Sequence, residues 1–143
     1  MAGDFWEQAV ETYLALDRWL FLNPQYLIGT PGVWEANPDF LAVAFPDNTV
    51  WMVEVTKSPR GSLFGKIDSF EHEYVPKIKD QLREHRVIRG DEAWAEWAVG
   101  LWIFAPDTAL SKLESRMRAA GVQKWLVTSL EKTTAPAWED RFR

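Results

Sequence analysis

Asp39 and Glu54 are acids placed inside apolar runs, and they carry the chemistry this sequence suggests first. Asp39 opens the run Asp39-Phe40-Leu41-Ala42-Val43-Ala44-Phe45, and Glu54 falls late in Thr49-Val50-Trp51-Met52-Val53-Glu54-Val55-Thr56-Lys57. Pro46-Asp47-Asn48 between them is a turn signal, so the stretch predicts a β-hairpin. In an antiparallel pair the start of one strand lies beside the end of the other, which brings the two acids together at one end. Two carboxylates at a buried edge repel unless a cation lies between them. A divalent metal suits the place, because Mg²⁺ takes one or two carboxylates and keeps several waters. On the second strand Trp51, Val53 and Val55 share one face, and Met52, Glu54 and Thr56 share the other. Both faces are mostly apolar, as on a central strand covered from two sides. A carboxylate there is costly unless paired or ligated. The structural alternative is a buried glutamate bonded to backbone or to an arginine.

Other chemistries find less support. The chain has no cysteine, which removes disulfides, thiolate zinc and a cysteine nucleophile together and fits a cytoplasmic protein. His72 and His85 lack the i,i+4 spacing of a helical zinc pair. No nucleophile elbow, phosphate loop or dinucleotide fingerprint occurs. The net charge of −5 argues against a surface coated for nucleic acid. The charge is uneven, however: residues 57–89 hold eight Lys/Arg against five acids. A local basic strip can bind a polyanion on an acidic protein, although a solvated helix face reads the same way.

The elements that must position these residues follow from periodicity. With 143 residues, 47% hydrophobic content and nine tryptophans, the expectation is one globular domain over 1–143. No signal peptide and no apolar run of membrane-spanning length is read. Residues 4–22 predict an amphipathic helix, with Asp4 as N-cap, Glu7 as its capping-box partner and Glu11 one turn on. Residues 25–36 predict a strand interrupted at Gly29-Thr30-Pro31-Gly32. After the hairpin, Ser58–Ser62 is a loop and Leu63–His85 a helix, with Ile67, Phe70, Tyr74, Ile78 and Leu82 as its stripe and Pro76 as a kink or restart. Arg89–Glu92 is a loop. Ala98–Phe104 is a buried strand. Asp107 caps a helix from Thr108 to Ala120 with Gly121 behind it. Val122–Leu130 holds a last strand, and 131–143 a loosely packed tail. The order α-β-β-β-α-β-α-β implies an α/β (α+β) fold with one mixed sheet and helices on both faces.

That order, with Pro38-Asp39 and Glu54-Val55-Thr56-Lys57, resembles the PD-(D/E)xK nuclease superfamily, the restriction-endonuclease-like fold. Phe5-Trp6-Glu7-Gln8-Ala9-Val10-Glu11 also looks like the first helix of its small members. The resemblance covers residues 5 to about 104 as an αβββαβ core, with a C-terminal αβ addition. It implies that an acid on the first helix (Glu7, with Glu11 as alternate), Asp39, Glu54 and the carbonyl of Val55 hold Mg²⁺, for which Mn²⁺ can substitute. It also implies a lysine two residues after the second acid, to orient or activate the attacking water. Here that position is Thr56, and lysine follows at Lys57, whose side chain points to the other face in a regular strand. A bulge could turn Lys57 back; otherwise Lys66 or Lys77 is the alternate. Lys66, Lys77, Lys79, Arg83 and Arg86 are candidates for contacts to the backbone of a nucleic acid, DNA or RNA. By analogy with small nucleases of this fold, a homodimer is one expected assembly. The alternative function is a catalytically inactive nuclease-fold module that binds nucleic acid or a protein partner.

Overall fold

A computed structural model describes residues 5–17, 19–24, 26–30, 33–36, 38–87 and 96–134, without side-chain detail at 29, 30 and 33–36. Five strands form the main sheet: β1 (Leu20–Pro24), β4 (Phe40–Ala44), β5 (Thr49–Val55), β6 (Ala98–Ala105) and β7 (Trp125–Ser129), in the order β1-β4-β5-β6-β7. The β1-β4 and β4-β5 pairs are antiparallel, whereas β5-β6 and β6-β7 are parallel. β2 (Ile28–Thr30) and β3 (Val33–Ala36) form a separate antiparallel pair. The molecule is thus mixed α/β, as expected.

Alternation along the strands splits the core. Leu41, Val43, Val50, Met52, Leu101 and Ile103 face one side, where they meet Leu63, Ile67, Phe70, Ile78, Leu82, Leu113 and Met117. Those residues come from α2 (Gly61–Ser69), the turn behind it, α3 (Val75–Glu84) and α4 (Asp107–Ala119). Phe40, Ala42, Trp51, Val53, Trp102 and Phe104 face the other side against Val10 and Leu14 of α1 (Phe5–Ala15) and Leu130. Every residue of β4 is buried, as are six of the seven in β5, which fits strands covered from both sides.

Several boundaries differ from expectation. The first helix stops at Ala15, where Asp17 Oδ1 accepts the Trp19 N–H at 2.9 Å and turns the chain. Leu20–Pro24 is then the edge strand β1, not a last helical turn, and an edge position tolerates Pro24. The broken strand at 25–36 is instead the β2-β3 pair. The hairpin turn is as read, with a 3-10 turn over Phe45–Asp47 and Asn48 left-handed. Of the two expectations for Pro76 the restart holds: a new helix, α3, begins with Pro76 in its first turn. A π-turn over Phe70–Tyr74 joins α2 to α3 and absorbs the missing proline donor. Asp107 is not the cap of α4; it is the first helical residue, and its N–H donates to both Glu131 carboxylate oxygens at 3.2 Å. Gly121 does follow the helix, at φ +72°. The expected cap Asp4, the loop Arg89–Glu92 and most of the tail lie outside the described residues. Among the described residues no helix is long and apolar enough to cross a membrane.

Candidate functional site

The hairpin register pairs Phe40 with Val53, so Asp39 and Glu54 come next to each other at its open end. Asp39 Oδ2 accepts the Val55 backbone N–H at 2.8 Å, which ties the aspartate to the last residue of β5. Glu54 is buried on the α2 face of the sheet, only 7% exposed. Its Oε1 accepts from Lys66 Nζ at 2.9 Å. Lys66 comes from α2, and its neighbours Leu63 and Ile67 are anchored in the core of that face. Glu54, Val55, Thr56, Ser62, Leu63 and Lys66 line a cleft of about 140 Å³.

Burial pushes the Glu54 carboxyl up from 4.5 to about 7. The Lys66 ammonium pulls it down, while the Asp39 charge and a hydrogen bond between the two carboxyl groups raise it. Near neutral pH Glu54 is therefore only partly ionised, chiefly because it is buried. A divalent cation replaces the bound proton, since ligands must be deprotonated to bind. The donor set is all oxygen, as a hard cation requires. The first turn of α2 also lines the cleft with Ser62 and Leu63, and its unpaired N–H groups favour an anion there.

The other expected residues fall elsewhere. Glu7 follows Trp6 on α1, which packs on the opposite face of the sheet from Glu54. Among the described residues no three Asp, Glu or His side chains gather to hold a metal, so the expected triad Glu7, Asp39 and Glu54 is reduced to its hairpin pair. Glu11 is exposed, a turn further along α1. Lys57 does not turn back: it lines a different cavity, on the α1 side, with Trp6. Thr56 does share the Glu54 cleft, and its Oγ1 accepts the Ser58 N–H at 3.1 Å. Lys77 lies eleven residues beyond Lys66, roughly 16 Å along the helix, and does not reach Glu54. Lys79, Arg83 and Arg86 are further still. Of the lysines weighed from sequence, the fold brings Lys66 to the acids. Ser62 was missed, and its signal was its place in the first turn of a helix that follows the strand of Glu54.

No family model matches this chain, and no curated protein or solved structure matches it either.

Proposed function

We propose that this chain is a metal-dependent nuclease of the PD-(D/E)xK type, in which the motif lysine is supplied by α2 as Lys66. The observation that carries this reading is the register that sets Asp39 beside Glu54 at the hairpin end, with Asp39 Oδ2 on the Val55 N–H and Lys66 Nζ 2.9 Å from the glutamate. A three-stranded antiparallel unit after α1, then a helical segment and a parallel strand, is the order expected of such a core, with β2-β3 as an insertion and α4-β7 as the addition.

Asp39, Glu54 and the Val55 carbonyl would hold Mg²⁺, the remaining positions being left to water. When bound, the metal supplies a water of lowered pKa and charge stabilisation at the phosphorus oxygens. Lys66 does two things in this site. Its charge favours ionised Glu54, and its remaining N–H donors face the cleft where a scissile phosphate and its attacking water belong. The N-terminal turn of α2 adds backbone donors for the phosphate. The Asp39–Val55 hydrogen bond fixes the aspartate before any ligand arrives, which limits reorganisation on binding.

The test is cleavage of supercoiled plasmid, single-stranded DNA and RNA with Mg²⁺ or Mn²⁺. The wild type is expected to cut at least one of these and to stop in EDTA. Asp39→Ala, Glu54→Gln and Lys66→Met should each lower the rate by roughly 100-fold or more, in line with loss of a metal ligand or a charge stabiliser. Calorimetry with Mn²⁺ should show binding that Glu54→Gln abolishes. Metal binding without cleavage of any substrate favours the inactive module, and neither binding nor cleavage overturns the reading.

A further inference from the structure

A second cavity, of about 300 Å³, lies on the α1 side and is lined by Trp6, Lys57, Pro106, Leu130 and Glu131. Its position is informative. Lys57 follows the end of β5, Pro106 follows β6 and Leu130 follows β7. These are the carboxyl ends of all three parallel strands, where open α/β sheets bind their ligands. Adjacent residues of one segment divide the two cavities: Thr56 lines the Glu54 cleft, and Lys57 lines this one. The cleft and the pocket therefore sit back to back across the carboxyl rim of the sheet.

The pocket's chemistry is narrow. Its walls are mostly apolar, and its volume is at the small end for ligand sites, enough for one flat ring system. Trp6 offers an aromatic surface, extended by Phe5, whose ring meets it edge-on at 5.1 Å between centroids. Phe5 is 66% exposed. Glu131 is the acid in the pocket, and both its oxygens are engaged by the Asp107 N–H at the start of α4, so its charge serves the helix. Lys57 is exposed, and among the described residues it has no ion-pair partner. An aromatic wall with one uncommitted cation at the lip suits a base whose phosphate lies outside.

We propose that this pocket is a nucleotide subsite: an unpaired base stacks on Trp6, Lys57 holds its phosphate, and the substrate is a single strand or a duplex end that frays. The proposal rests on the nuclease reading for its second anchor, the neighbouring phosphate over Lys66 and Glu54. A strand crossing the rim beside Thr56 and Lys57 reaches both cavities. An intact duplex cannot, because its bases are stacked and paired and must be extruded at a cost before one can enter.

The test separates this subsite from the catalytic reading. Fluorescence anisotropy in EDTA measures binding of a labelled single-stranded DNA, the same sequence as RNA, and a blunt duplex of matched length. The wild type and Glu54→Gln should both bind a single strand more tightly than the duplex. Trp6→Ala should weaken single-strand binding roughly 5- to 100-fold, with most of it restored in Trp6→Phe. Lys57→Met should weaken it and flatten its salt dependence by about 0.7 in log-log slope. The Trp6 variants are checked by circular dichroism; Lys57, being exposed, serves as the variant that does not disturb packing. If single strand and duplex bind alike, and Trp6→Ala and Lys57→Met change nothing, the subsite is refuted even where plasmid cleavage proceeds. If Trp6 and Lys57 govern binding but no metal-dependent cleavage occurs, the subsite stands and the nuclease reading falls.

Discussion

Glu54 sits where its charge is least welcome, and that position makes a pH prediction. Its carboxyl is held at about 7 in the fold against 4.5 in an open chain, chiefly by burial. Between those values the folded state binds more protons than the unfolded one, so stability falls as pH rises. The contribution is fully present below 4.5 and is lost as pH climbs through 7. Its ceiling is on the order of 3 kcal/mol. Glu54→Gln keeps an oxygen acceptor for Lys66 but cannot ionise. Urea unfolding in EDTA from pH 4 to 8 should show the wild type losing stability relative to Glu54→Gln as pH rises, and parallel profiles would refute the assignment. At this scale the sequence was legible for the acids and only partly for the base. Asp39 and Glu54 were visible because hairpin register follows from a turn signal and two apolar runs. The lysine was legible only as a choice among Lys57, Lys66 and Lys77, because a loop of unknown path separates Lys66 from Glu54. One cue was present: Lys66 stands three residues after Leu63 and one before Ile67, at the margin of the buried stripe.

Two strands meet closely at Gly100 on β6. A Cβ there would lie 2.5 Å from Cζ3 and 2.7 Å from Cε3 of Trp51 on the neighbouring strand. The Trp51 ring has little room to move, since it meets Trp102 edge-on at 5.6 Å and is 8% exposed. Gly100→Ala should therefore overpack the α1 face and cost about 1–3 kcal/mol, read as a lowered urea midpoint with an unchanged slope. Lys124 crosses the same place, with its Nζ donating to Thr49 Oγ1 at 2.7 Å and lying 5.6 Å from the centre of the Trp51 ring. This packing explains why strand β6 was easy to read: Val99-Gly100-Leu101-Trp102-Ile103-Phe104 is apolar on both faces, as only a buried central strand is. β1 was hard for the opposite reason. Leu20 and Leu22 half-buried with Phe21 exposed is a strand pattern, but Leu20 also continues the three- and four-residue spacing of Val10 and Leu14. Five residues cannot decide between the two periods. The turn at Asp17 decided it, through a local side-chain bond that periodicity does not record.

Across the whole molecule, two helices close with the same backbone motif but with different residues. After α4, Gly121 takes the left-handed position at φ +72°, its N–H bonded to Arg118 O and the next N–H to Met117 O. After α3, the corresponding bonds run from Arg86 N to Arg83 O and from Val87 N to Leu82 O, and the left-handed residue is Arg86 at φ +56°. Glycine is the usual occupant of this position because a Cβ is strained there. An arginine in its place costs stability and adds a cation to the basic stretch of an otherwise acidic chain. Strain of this kind can mark a functional position, and under the proposed nuclease function a phosphate contact on the nucleic acid would be such a use. Arg86→Gly should raise stability by up to about 1 kcal/mol, the relief of strain being partly offset by the freedom of glycine in the unfolded chain. The same change should weaken nucleic-acid binding and lower its log-log salt slope by about 0.7 to 0.9, the signature of one lost phosphate contact. Both readings come from one variant, by thermal unfolding and by anisotropy over a salt series. A more stable protein with unchanged binding would place Arg86 outside the substrate path and confine the footprint to the sheet rim around Lys66 and Lys57.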